Sequence, residues 1–187
     1  MKDGSGMHPV RKINCELNKK VICADDTLSL WDRQNIYGMA KNSGYYIGWD
    51  DTQVPERKLH DQHLFCGVNL DLFSGYIKKF KKVPEVAEEL QNLEIVKGII
   101  NLSVPTNVNY VHAHPEKKVL LYYVNLEWPE GGHGETQFYS ENLKEIQYTC
   151  PYTPGRILVF DGSIPHTIRP QSNAGPKFRF TLTFLYN

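Results

Sequence analysis

The sequence predicts a mainly β fold with added α-helices, built on a core of jelly-roll type. Three observations carry that expectation. Eight short strand-like segments follow one another between residues 94 and 185, separated by turn chemistry such as "VPTN", "PEGGHG", "TPG", "DGSIP" and "SNAGP". Helical periodicity is confined to the first half. The aromatic content is 12%, with eleven tyrosines, a composition suited to strands around an enclosed cavity.

Taken in order, residues 1–24 are mixed and polar, with one short strand over Lys20–Cys23. The stretch "DTLSLWDRQNIYGMAKNSG" has cap candidates at its start and Gly44 as its stop, which predicts a helix. "GYYIGWDD" then reads as a strand and turn. Phe73, Tyr76, Ile77 and Phe80 fall at i, i+3, i+4, i+7, and Val83, Val86, Ala87 and Leu90 repeat the spacing. Pro84 lies between the two stripes and starts a second helix instead of extending the first. The strand segments are 94–103, 109–114, 118–126, 135–139, 145–149, 155–160, 166–169 and 177–185. The expected organisation is one domain over residues 1–187. A helical support region, 1–93, packs on the outside of one sheet of a β core, 94–187.

Composition excludes some function classes. Lys+Arg and Asp+Glu both number 21, so the formal net charge is zero and the basic footprint of a nucleic-acid or membrane-surface binder is missing. No run has the length of a bilayer-spanning helix, and "MKDGSGMHPVRK" has no apolar signal core. Cys15, Cys23, Cys66 and Cys150 show no close pairing and read as reduced, mostly buried thiols. A soluble cytoplasmic protein is expected.

The chemistry concentrates in "NYVHAHPEKKVLLYYVN". On a strand, residues i and i+2 project from one face, so His112 and His114 point together. Two imidazoles on one face can share a small cation; imidazole suits Fe, Zn, Cu and Ni. A third ligand should come from a neighbouring strand, and His166 in "FDGSIPHTIRP" is the candidate. His8, His60, His63 and His133 read as surface or loop positions, His60 and His63 with the alternative of bordering a substrate mouth. "YYIGWDD" and "LHDQHLF" read first as part of the helical layer, with the mouth as the alternative. The last strand alternates. Phe178, Phe180, Leu182 and Phe184 share one face, and Arg179, Thr181 and Thr183 share the other. An arginine facing the interior needs an anion, either a structural carboxylate or a bound small acid, because an unpaired buried guanidinium is costly.

These pieces resemble the Fe(II)/2-oxoglutarate-dependent oxygenases, in particular the small prolyl-4-hydroxylase-like branch. The resemblance rests on "LLYYVNLEW", "GGHGETQFY", "TPGRILVFDGSIPH" and the "RFT" that begins thirteen residues after His166. It spans roughly residues 95–187 and fits the helical first half. It implies a double-stranded β-helix, with Fe(II) and 2-oxoglutarate as cofactors. It also implies hydroxylation of an unidentified small-molecule or peptidyl substrate by O2, coupled to oxidative decarboxylation of 2-oxoglutarate to succinate and CO2. By the same resemblance His166 is the distal iron ligand, Arg179 grips the far carboxylate of 2-oxoglutarate, and Thr181 and Tyr123 donate hydrogen bonds to it.

The family's His-x-Asp pair is absent here. "HAHPE" supplies either His112 and His114, giving three histidines with His166, or His114 and Glu116, keeping two histidines and a carboxylate. Spacing to "YYVN" favours His112, and ligand chemistry favours Glu116. Two rival readings stand beside the oxygenase. One is a cupin-like dioxygenase that does not use 2-oxoglutarate and has no need of Arg179. The other is a non-catalytic jelly-roll ligand-binding module whose histidines are incidental.

Overall fold

The computed structural model describes residues 9–50, 62–107 and 109–187. The chain begins with an antiparallel strand pair, β1 (Val10–Asn14) and β2 (Lys20–Ala24), followed by helix α1 (Leu30–Asn42). Strands β3 (Tyr46–Asp50) and β4 (Gln62–Gly67) precede two helices, α2 (Leu70–Phe80) and α3 (Pro84–Glu89). The second half is β5 (Ile95–Ser103), β6 (Lys118–Tyr123), β7 (Thr136–Tyr139), β8 (Ile146–Cys150), β9 (Ile157–Asp161), β10 (His166–Ile168) and β11 (Arg179–Tyr186).

Two antiparallel sheets result. The major sheet runs β1-β2-β9-β6-β11-β5-β4-β3 and the minor sheet β10-β7-β8, together a jelly-roll core. Both faces of the major sheet are covered, which is why all eight residues of β11 are buried, the polar Arg179, Thr181 and Thr183 included. On its outer face Phe180, Leu182, Phe184 and Tyr186 share one cluster with Ile36, Phe73, Ile77, Phe80 and Val86 of the helices. The contacts include edge-on Phe73–Phe184 at 6.0 Å and Phe80–Tyr122 at 5.4 Å between ring centroids. The helices of the first half therefore close the core of the second.

Helix placement follows local chemistry. Ser29 caps α1 in a reciprocal box with Asp32, and Asp32 also takes the Lys79 ammonium of α2 at 2.6 Å, fastening the two helices together. Pro84 stands at the first turn of α3, where its missing N–H costs nothing.

The inner face holds the second cluster, in which Val119, Leu121, Tyr123, Leu158 and Phe160 meet Phe138, Cys150 and Tyr152. Three sequence expectations need correcting. The expected strand 109–114 makes only an isolated bridge between His112 and His166, because the N–H of His114 turns to the carbonyl of Gly162, away from any strand neighbour. Phe178, expected on the outer face with Phe180, lies before the strand and is exposed. Strands β1 and β4 were not foreseen; β4 carries too short an alternation in "QHLFCG" to separate it from a loop. His8 and His60 lie outside the described residues; of the two stretches considered for a substrate mouth, residues 51 and 59–61 do too, and the rest falls mostly in the paired strands β3 and β4 and not in the helical layer. No helix among the described residues is long and apolar enough to cross a membrane.

Candidate metal centre

His112 and His166 form a hydrogen-bonded antiparallel pair, exchanging N–H···O bonds of 3.0 and 2.8 Å. Residues paired in this way lie directly opposite one another with side chains on one face. The two ring centroids are 4.4 Å apart. His114, two residues further on, brings a third imidazole to 5.1 Å from each of the others. One ligating atom from each ring lies within 4.8 Å of the others, the only such His, Cys, Asp or Glu cluster among the described residues.

The tautomers follow from the neighbours. His166 Nδ1 lies 2.9 Å from the Ile164 carbonyl, and His112 Nδ1 lies 3.3 Å from the Tyr110 carbonyl. A carbonyl can only accept, so each Nδ1 carries the proton and each Nε2 keeps a lone pair for a metal. His166 is 4% exposed. Burial first, and then its two histidine neighbours, push its pKa well below the ordinary 6.5. It is thus already in the neutral state that ligation needs.

The sign of that shift predicts an acid sensitivity. Between the lowered folded value and 6.5 the unfolded chain binds the proton that the folded chain refuses. Stability is therefore lost as pH falls below 6.5. The denaturation midpoint of the metal-free protein is expected to be lower at about pH 5.5 than at about pH 7.5. His166→Gln should shrink that difference.

Glu116, the alternative ligand, is not in the cluster. Its Oε2 is buried without a hydrogen-bond partner. The sequence left His112 and Glu116 as alternatives; the geometry brings His112 to His114 and His166. What holds the "HAHPE" segment in place is a close backbone approach that sequence reading missed. A Cβ on Gly162 would lie within bonding distance of the Glu116 carbonyl oxygen, and the Gly162 N–H and C=O bond Lys117 and His114. Gly162→Ala must push this segment away, and overpacking of that kind costs roughly 1–3 kcal/mol. Urea denaturation should register the loss, and metal affinity should fall with it.

The three rings open onto a cavity of about 60 Å³, counted as space for the centres of water-sized spheres. Its apolar wall is Ile99, Leu102, Val119, Leu121 and Ile168; Asn101, Ser103, Asn109, Thr136, Thr181 and Thr183 supply polar groups. Ser103 Oγ, Asn109 Nδ2 and Thr181 Oγ1 are buried with no hydrogen-bond partner. Buried polar atoms are nearly always satisfied, so three orphans on one cavity wall mark a place for a polar ligand. Of these lining groups the sequence had singled out Thr181, Thr183 and the histidines.

Arg179 is 1% exposed, on the same inner face of β11 as Thr181. Its Nε–H donates to the Gly134 carbonyl at 2.9 Å, while Nη2 is buried and unpartnered. Its guanidinium carbon lies 4.9 Å from the Tyr152 ring centre and 5.6 Å from that of Tyr123. Burial lowers its pKa, opposed by the surrounding phenols and Glu135. Gly134, at φ +81°, is required here, since a Cβ would meet the Trp128 ring at 2.7 Å and Arg179 Cδ at 3.3 Å. Arg179 stands behind the cavity wall and does not form part of it. Tyr123 is also set back: its hydroxyl donates to Thr136 Oγ1 at 2.8 Å, and it is Thr136 that lines the cavity. His133 sits in a loop, half-buried, and its carbonyl accepts from Trp128 Nε1 at 2.7 Å.

No protein-family model matches the sequence, and no curated protein sequence matches it. Solved structures do. A 2OG-Fe(II) oxygenase family oxidoreductase from Burkholderia pseudomallei is 11% identical, with a TM-score of 0.65 over 89% of this chain and 85% of that one. A prolyl hydroxylase from Trichoplax adhaerens, solved with a hypoxia inducible factor oxygen degradation domain peptide fragment, is 15% identical, with a TM-score of 0.61 over 89% and 82%. HygX from Streptomyces hygroscopicus, solved with nickel and 2-oxoglutarate, is 9% identical, with a TM-score of 0.62 over 89% and 82%. At these identities the likeness is one of fold. The present chain folds as these oxygenases do.

Proposed function

We propose that this protein is an iron(II)-dependent oxygenase that takes 2-oxoglutarate as cosubstrate and hydroxylates an organic substrate. The observation that carries the proposal is the cluster of three imidazoles, one ligating atom of each within 4.8 Å of the others, inside a fold shared with such oxygenases. His112, His114 and His166 would hold the metal through nitrogen alone. Three protein ligands leave coordination positions open, as a catalytic site requires. A bound ferrous ion supplies the centre at which O2 and the 2-oxo acid react together.

The chain's own residues account for the rest. The carbonyls of Ile164 and Tyr110 fix the two imidazoles in the metal-binding tautomer. Arg179 and Thr181, both with unsatisfied polar atoms, are the partners for the distal carboxylate. The Gly134 carbonyl and the Tyr152 ring hold the guanidinium in place, and its Nη2 is left for a ligand. Tyr123 acts through Thr136, which it orients by hydrogen bond. Ile99, Val119 and Leu121 keep water from the reacting atoms.

One observation favours the cupin-like alternative: the ligand cluster contains no carboxylate. A single measurement separates the two. Incubated with Fe(II), O2 and 2-oxoglutarate, the protein is expected to release succinate and CO2 even without its prime substrate, followed by proton NMR. Absence of succinate over the no-enzyme control, with metal bound, would remove the 2-oxoglutarate reading.

A further inference from the structure

Two cysteines outside the metal centre are placed for covalent chemistry. Cys23 on β2 and Cys150 on β8 lie 127 positions apart in sequence, yet their sulfurs are 3.8 Å apart in the space between the two sheets. Both are fully buried free thiols, whereas Cys15 and Cys66 are only half-buried and neither lies in such a pair among the described residues. Two further polar groups converge on them. The Tyr148 hydroxyl is 3.5 Å from the Cys23 sulfur, and Arg156 Nη1 donates to the Cys150 sulfur at 3.8 Å. The other edge of that guanidinium is held by Asp25, through bonds of 2.6 and 2.9 Å. The arginine is thus fixed with one N–H aimed at sulfur. A guanidinium beside a thiol stabilises the thiolate, the form that reacts.

From this arrangement we infer that Cys23 and Cys150 form a reversible disulfide with a peroxide as oxidant, with Cys150 attacked first and Cys23 resolving.

The steps balance. The Cys150 thiolate attacks one peroxide oxygen: an S–O bond forms, the O–O bond breaks, and the departing hydroxide takes the proton released by Cys150 to become water. Cys23 then attacks the sulfenic sulfur: the S–S bond forms, the S–O bond breaks, and the second hydroxide leaves as water with the Cys23 proton. Two thiols and one hydrogen peroxide give one disulfide and two waters. Each sulfur loses one electron and the peroxide gains two.

The order of attack follows from the environments. The bond from Cys23 first, then the Arg156 charge and the Tyr148 hydroxyl, bring the Cys150 thiol down to about 6 against the opposing effect of burial. Cys23 keeps the shared proton, its thiol pushed upward by that same bond and by burial.

Neither sulfur is exposed, so access depends on local opening. Strand β8 is an edge strand, hydrogen-bonded only to β7, and its Ile146 and Thr149 face solvent. Closing 3.8 Å to a bond of about 2.05 Å needs rotation of both side chains, which adjoining edge-strand motion permits.

The bond would join the two sheets next to the cavity. Cys150 pairs in register with Thr136 of the cavity wall, and its carbonyl lies 3.4 Å from the Tyr123 hydroxyl. Oxidation would therefore be felt at the proposed cosubstrate grip.

The test treats the full chain with hydrogen peroxide in the presence of a chelator, then maps peptides without reduction. The expected result is the loss of two of the four thiols, a linked peptide pair containing Cys23 and Cys150, and full recovery with dithiothreitol. In Cys23→Ala, a dimedone adduct should accumulate on Cys150. Oxidation that begins at Cys15 or Cys66 and leaves the buried pair as thiols would overturn the proposal. So would Cys150 passing straight to the sulfinic acid in the wild type, or a Cys23→Ala protein that folds and gives no adduct.

Discussion

Replacement of His166 by alanine is expected to weaken divalent metal binding by more than ~100-fold, since loss even of a group that only orients a ligand costs about 10–100-fold. Ni(II) or Co(II) titration, by calorimetry or by the ligand-field spectrum, measures it. The fold should survive, because the bonds that join β10 to the "HAHPE" segment are backbone bonds and remain when the ring is removed. The packing of the imidazole on Phe160, at 4.9 Å between ring centres, is lost, so some stability goes with it. His112→Ala should reproduce the metal defect. Glu116→Gln should not, and this pair of variants decides which residue completes the shell. Tight metal binding in His112→Ala, lost instead in Glu116→Gln, would restore the two-histidine, one-carboxylate arrangement.

Arg179→Met has the second large effect, and its two parts have opposite signs. A hydrogen bond to a charged group contributes about 1.5–3 kcal/mol. Losing the Arg179 contact should therefore raise the KM for 2-oxoglutarate by ~10–100-fold, with Ni(II) binding unchanged. The protein itself should not be less stable. The guanidinium is buried with Nη2 unpartnered, so its removal relieves a costly unpaired group and offsets the loss of the bond from Nε to the Gly134 carbonyl. A variant that binds cosubstrate poorly while resisting urea at least as well as the wild type identifies Arg179 as a binding group. A variant that unfolds easily and keeps its KM identifies it as structural.

Much of this was legible in the sequence because buried elements leave periodic traces. The α2 and α3 stripes, Pro84 between them and the alternation of β11 all reflect faces that pack on something. His112 and His114 were legible for the same reason, since spacing two apart puts side chains on one side of an extended segment, and His166 because it opens a strand directly after a turn. What was illegible depends on contacts between distant backbones. Nothing local in "FDGSIPH" says that Gly162 must let the Glu116 carbonyl approach, nor that His112 pairs with His166 through two hydrogen bonds alone. The conflict between spacing and ligand chemistry at Glu116 was of this kind. Likewise "GGHGET" gives no sign that Gly134 separates Trp128 from Arg179. Orphaned atoms such as Ser103 Oγ and Asn109 Nδ2 belong to residues with many ordinary roles, and only a cavity wall singles them out. The Cys23–Cys150 approach, between strands of different sheets, was invisible for the same reason.

The division of the barrel into two sheets has a mechanical consequence. His166 is carried by the minor sheet, and Arg179 and Thr181 by the major one. Any small molecule that touches both spans the seam and acts as a strut, and its fit depends on how far apart the two leaves stand. Filling residues such as Phe138, whose ring lies 6.0 Å from that of His166, and Leu121 of the cavity wall would then govern its length. Trimming either one should loosen the grip on a bridging diacid more than the grip on a bare metal ion.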